Sequence, residues 1–360
     1  MMTPKGRRRA AAVMAAVAGM TLMAGCGGGG KKQASGPTTS APATTTTTKA
    51  PAQAKHGPTC PLTGTVPADK AALHRSALAV KVENLPAARP QYGLNQADIV
   101  YEEPVEGGIT RFVAVFDCQS AARIEPVRSA RFIDLAILAP YGKLLFAYSG
   151  AIQPVVDAVD ASGSELEDVG ANRAGPAYTR DPSRYIPHNL ETSTSLLYAA
   201  AKSAGLTIDQ PPPAQFHYGR MPKGAKPAAA VDISYPEVTS WTWDPKSGRW
   251  LRSYPDTTGP AMQGDGTQIS AANVVVVQAP EYATAYVEDA TGAHENNMTL
   301  TGSGPAWIFR NGAVYRGMWE RPSLTAPASF VGPHGVALKL TPGNTWEELV
   351  PTGDKVSISG

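Results

Sequence analysis

Seven charged side chains, Glu102, Glu103, Glu106, Arg111, Arg128, Arg131 and Asp134, fall within 33 residues of a sequence otherwise rich in Ile, Val, Phe and Ala. Charges set among apolar strand residues must pair with one another or bind something, because an unpaired buried charge is costly. Two arrangements meet that demand. In an open cleft, Arg111, Arg128 and Arg131 present planar donor forks to a carboxylate or phosphate. Glu103, Glu106 and Asp134 then orient sugar hydroxyls or serve as acid and base. In a closed network, the same groups neutralise each other and fix a hairpin against a helix. The residue types leave both open.

A second constellation is looser. Ala147-Tyr148-Ser149-Gly150-Ala151 follows a strand-like run, as a nucleophile elbow does. Asp157 or Asp181, and then His188, complete the chain order Ser, Asp, His. Against this, Ala stands where Gly would relieve a strained turn. His188 also comes only 39 residues after Ser149. A strand-to-helix turn with Ser as cap accounts for the motif equally well. His188-Asn189 opens a helix, placed either to contact an anion or to pack there. The candidate ligand set is therefore Glu103, Glu106, Arg111, Arg128, Arg131, Asp134 and His188. No HxH, HExxH or Asp-rich calcium loop occurs, so no metal and no other cofactor is expected.

The elements that carry these residues are mixed. Ala77–Val82 alternates like a strand. Asp98–Val105 and Ile109–Asp117 flank Glu106-Gly107-Gly108 as a hairpin, with Ile109–Phe116 apolar enough for a central strand. Arg131–Leu138 predicts a short helix with Ser129 as N-cap, Leu144–Tyr148 a buried strand, and Glu191–Ala204 a helix opened by Thr192, Ser193 and Thr194 and stopped at Gly205. After residue 240 the pattern turns to short strands. Trp241–Trp243 pairs with Trp250–Ser253, Asn273–Gln278 is Val-rich, and Asn311-Gly312 predicts a type I′ hairpin. All six Trp lie in this half, and core packing suits them better than a sugar-stacking face. The expectation is an α+β protein: a mixed α/β N-terminal domain over 59–210, a linker over 211–227, and a mostly-β C-terminal domain over 228–360.

Residues 1–58 differ in kind. They hold eight Lys/Arg and no Asp or Glu, which leaves 24 basic against 30 acidic residues in 59–360. An acidic folded part offers no footprint for nucleic acid. Lys5-Gly6-Arg7-Arg8-Arg9 followed by a dozen apolar residues reads as a secretory leader, too short to anchor in a bilayer. Leu22-Met23-Ala24-Gly25-Cys26 resembles a bacterial lipobox, with Met23 where Leu is usual. That resemblance implies a leader over 1–25 and lipidation of Cys26, which would anchor the chain on the outer leaflet of the cell membrane. Residues 26–58, rich in Thr, Pro and Gly, are too poor in apolar bulk to fold and predict a disordered tether. In that oxidising compartment the remaining cysteines, Cys60 and Cys118, are the right number for one disulfide.

Two stretches, Arg89–Glu103 and Pro126–Arg131, resemble the YerB-like lipoprotein family of Gram-positive bacteria. So do Glu106–Phe112, Phe309–Gly312, Gly317–Trp319 and Pro342–Trp346. The resemblance spans roughly 75–352 and implies a two-domain surface lipoprotein, with no activity or catalytic residue attached. The function expected is a lipid-anchored binding or scaffold module, facing outward, for a cell-wall component or an envelope protein. The alternative is a cell-wall glycan or ester hydrolase using Glu103 and Glu106, or Ser149 and His188.

Overall fold

Strands buried on both faces read as nearly unbroken apolar runs, because neither face meets water. Ala77–Glu83 (β1), Ile99–Val105 (β2) and Ile109–Phe116 (β3) are of this kind, as are Leu144–Ala147 (β4), Asn273–Ala279 and Thr345–Pro351. The computed structural model describes residues 57–360 apart from 164, 236, 289 and 290, so Cys26 and nearly all of the expected tether lie outside the described residues. Within this part the strands join in one 11-stranded sheet. Its order runs from Ser329–Val331 through Ala313–Arg321, Gly302–Arg310, Asn273–Ala279 and Thr345–Pro351 to β2, β3, β1, β4 and Leu166–Asp168 (β5). β2 and β3 form the expected hairpin. β1 runs antiparallel to β3 and parallel to β4, so the carboxyl ends of β1 and β4 lie at one sheet edge.

Helices Phe132–Leu138 (α1) and Gln153–Ser162 (α2) cover one face of this sheet, meeting Ala77, Ala79, Ile99, Val113 and Val115. A six-stranded sheet, including Val238–Asp244 and Arg249–Tyr254, covers the other face together with helix Thr194–Ser203 (α3). Trp241, Trp250 and Trp346 are fully buried there among Val80, Phe112 and Val274. The N-terminal region thus mixes strands and helices, and the region from about 226 is mostly strand. Asn311 and Gly312 both take positive φ, as the two-residue turn joining Gly302–Arg310 to Ala313–Arg321 requires.

Two local expectations are corrected. The N-cap of α1 is Arg131, not Ser129, because Asp134 reaches back to accept the Arg131 backbone N–H at 2.7 Å. α3 begins at Thr194, because Leu190–Glu191 is drawn into a bridge with Thr179–Arg180 and Ser193 then caps through Leu196 N. The disulfide joins Cys60 and Cys118, which are 5.9 Å apart at Cα.

Candidate functional site

Side chains on a strand alternate between faces, and that alternation sorts the clustered charges. Lys81, Glu103 and Arg111 project toward α1, whereas Glu102 and Thr110, one position away, project toward the second sheet. Sequence proximity therefore misgroups Glu102 and Glu103.

On the α1 side, Lys81 Nζ donates to Asp134 at 2.6 Å and pairs with Glu103, with all three side chains fully buried. Glu106 accepts from Arg131 at 2.7 and 2.5 Å and from Arg111 at 3.2 Å. Glu288, on the hairpin of Glu281–Val287 and His294–Met298, pairs with Arg131 at 2.8 Å. Glu295 of the same hairpin accepts the Phe132 N–H at 2.5 Å, and Tyr286 stacks on Phe132. The hairpin is thus laid over the charges. Burial pushes Lys81 down to about 8 against the pull of Asp134. Burial alone would raise Glu106, but Arg131 and Arg111 hold it down at about 2. Burial lifts Glu295 to about 7. Together with Lys81, the residues Glu103, Glu106, Arg111, Arg131 and Asp134 so form an interior network of three cations and three carboxylates.

On the opposite face, Arg252 is fully buried and pairs with Glu102 at 2.5 Å and Glu348 at 3.0 Å. Asn84 and Thr110 also donate to Glu102, and the Trp241 indole donates to Glu348 at 2.7 Å. Burial, then the neighbouring Glu102, pushes Glu348 well above the usual carboxyl range.

The remaining two candidates meet elsewhere. At the carboxyl end of β1, Glu83 accepts from Arg128 Nε at 3.1 Å and lies 2.9 Å from His188 Nδ1. Glu83 is buried, but the Arg128 and His188 side chains keep 25% and 20% exposure. Among the described residues the two Nη groups of Arg128 take no hydrogen-bond partner. Ser129, Ser149 and Gly150 lie half-buried beside them, with Ser129 Oγ donating to the Ser149 carbonyl at 3.1 Å. Ser149 makes no hydrogen bond to His188 or to either proposed Asp. Asp157 accepts from Gln153, and Asp181 from Arg123 and Ser183. Among the described residues no group of three or more His, Cys, Asp or Glu is placed to hold a metal ion.

Lys81, Glu83 and Arg252 were not singled out from the sequence. Lys81 carried a findable signal, as the lone charge on the α1-facing positions 77, 79 and 81 of an apolar strand. Arg252 carried none, since its carboxylate partners lie 96 and 150 residues away.

Comparison with known proteins agrees with this architecture. A crystal structure of YerB from Bacillus subtilis superposes with a TM-score of 0.73 at 26% identity, covering 84% of this chain and all of that one. The Bacillus subtilis (strain 168) protein that carries the provisional name lipoprotein YerB is 29% identical over 309 residues, 83% of this chain and 88% of the relative. Residues 62–207 match the N-terminal domain, and 230–346 the C-terminal domain, of a family described as proteins of unknown function, DUF3048. The chain is a homologue of YerB and belongs to the DUF3048 family.

Proposed function

We propose that this YerB homologue is a lipid-anchored envelope protein that acts outside the cytosol as a binding module. Its ligand contact is the Arg128–His188–Glu83 edge, and its ligand an anionic or hydroxyl-rich cell-wall component. The carrying observation is the free guanidinium fork of Arg128: Nε is fixed by a buried carboxylate while both Nη groups are left to a ligand. A fork held from one side is preorganised for a phosphate, a carboxylate or a sugar hydroxyl pair. The place suits such a role, because ligands of open sheets gather beyond the carboxyl ends of parallel strands. The interior network contributes by holding β1, β3 and α1 in register beneath this edge.

The test is calorimetric titration of the full chain in detergent with soluble wall fragments, both disaccharide-peptides and polyol-phosphate oligomers. Binding by one class, weakened about tenfold or more in Arg128→Ala, is the expected result. No heat from either class overturns the reading. Product released from labelled wall, and abolished by Glu103→Gln or Ser149→Ala, would replace it with a hydrolase.

A further inference from the structure

On the other side of the β1 end, Asn84 faces a cavity of about 360 Å³ between the β2–β3 hairpin and the second sheet. The space is that of a small-molecule site. Its floor is polar and buried: Glu102, Asn84, Thr110 and Thr239 are each more than nine-tenths buried. Leu85, Ile109 and Val238 supply apolar wall. Arg89 and Glu237 form the mouth, paired through two contacts at 3.0 and 2.5 Å, with the guanidinium 3.5 Å over the Tyr254 ring.

The charges do not balance. Arg252 is the one cation shared by Glu102 and Glu348, and burial raises Glu348. Arg89 balances Glu237. Asp256, also lining the mouth, has no ion pair among the described residues. The Arg89 fork is spent on Glu237 and on Asn84, so the cavity presents an unmatched negative charge and no free cationic donor. A recess whose mouth carries that excess of negative charge favours a positive ligand.

We propose that this cavity binds a small primary ammonium, carried on an aliphatic stem or a hexose-sized body, with the charge between Asp256 and Glu237 at the mouth. The apolar wall takes the body of the ligand. Thr239, which accepts from Arg252 at 3.1 Å, retains its own proton to donate to a hydroxyl of a hexose-sized body. This site is separate from the Arg128 edge and does not rest on it.

The experiment is calorimetric titration of the full chain in detergent with 1,5-diaminopentane, glucosamine and N-acetylglucosamine. At least one amine binds at millimolar concentration, and N-acetylglucosamine, which lacks the charge, does not. Asp256→Asn, at an exposed residue that bonds nothing else, weakens amine binding about fivefold. Glu237→Gln weakens it as a second, independent variant. Which amine binds tells a lysine-like ligand from an amino sugar. Silence from both amines, equal binding of N-acetylglucosamine, or unchanged affinity in Asp256→Asn overturns the proposal.

Discussion

Replacing Lys81 with Met tests whether the charges beneath α1 form a sealed network. The side chain is fully buried, donates to Asp134 at 2.6 Å, and is the salt-bridge partner of Glu103 among the described residues. Met fills similar volume but strands the Glu103 and Asp134 carboxylates without a cation. Breaking a buried pair from one side costs about 3–5 kcal/mol, because the remaining charge keeps its desolvation penalty. For a domain of this size that lowers Tm by about 10 °C. Denaturant unfolding of the full chain at pH 7 reads the loss as a lower midpoint at unchanged slope. Lys81→Met combined with Glu103→Leu removes one of the two stranded charges, and the pair recovers at least ~1 kcal/mol relative to Lys81→Met alone. A loss below ~1 kcal/mol in Lys81→Met, as for a solvated surface pair, would refute the sealed arrangement.

Two further outcomes follow from buried groups elsewhere. Burial holds Glu347 at about 7 rather than 4.5, with Arg321 opposing. Because its folded pKa is raised, its cost is absent near pH 4, grows as pH rises, and is complete above about pH 7 at ~3 kcal/mol. Glu347→Gln therefore matches the parent in unfolding free energy at pH 4 and exceeds it at pH 8; parallel pH curves would contradict this. The Cys60–Cys118 bridge closes a loop with a sequence separation of 58, and Cys60→Ser with Cys118→Ser loses ~4 kcal/mol. An oxidised parent and a double variant with equal unfolding midpoints would show that the bridge constrains nothing.

Local elements were readable because their signals are local. The β2–β3 hairpin announced itself through Glu106-Gly107-Gly108 between apolar runs, and the Asn311-Gly312 turn through its positive-φ residues. The opening of α3 was readable in Thr192, Ser193 and Thr194, of which Ser193 is the cap, but not its bound, since Leu190–Glu191 is claimed by a bridge to Thr179–Arg180. The charged cluster was legible as a composition and illegible as a site. Strand register decides which charges share a face, so it joined Lys81 to Glu103 and sent Glu102 to Arg252, 150 residues on.

From the chain alone one learns that charges lie among apolar strands, that two cysteines suit one bridge, and that an acidic α+β body follows a basic, lipobox-like leader. Those are statements about composition and short-range pattern, which residue types carry by themselves. Only the folded sheet decided which carboxylates are sealed under α1, that Arg128 keeps an open fork beside His188, and that Asp256 lines a recess whose arginine is already paired. The reason is that pairing and burial depend on contacts between residues distant in sequence, and no local signal encodes them.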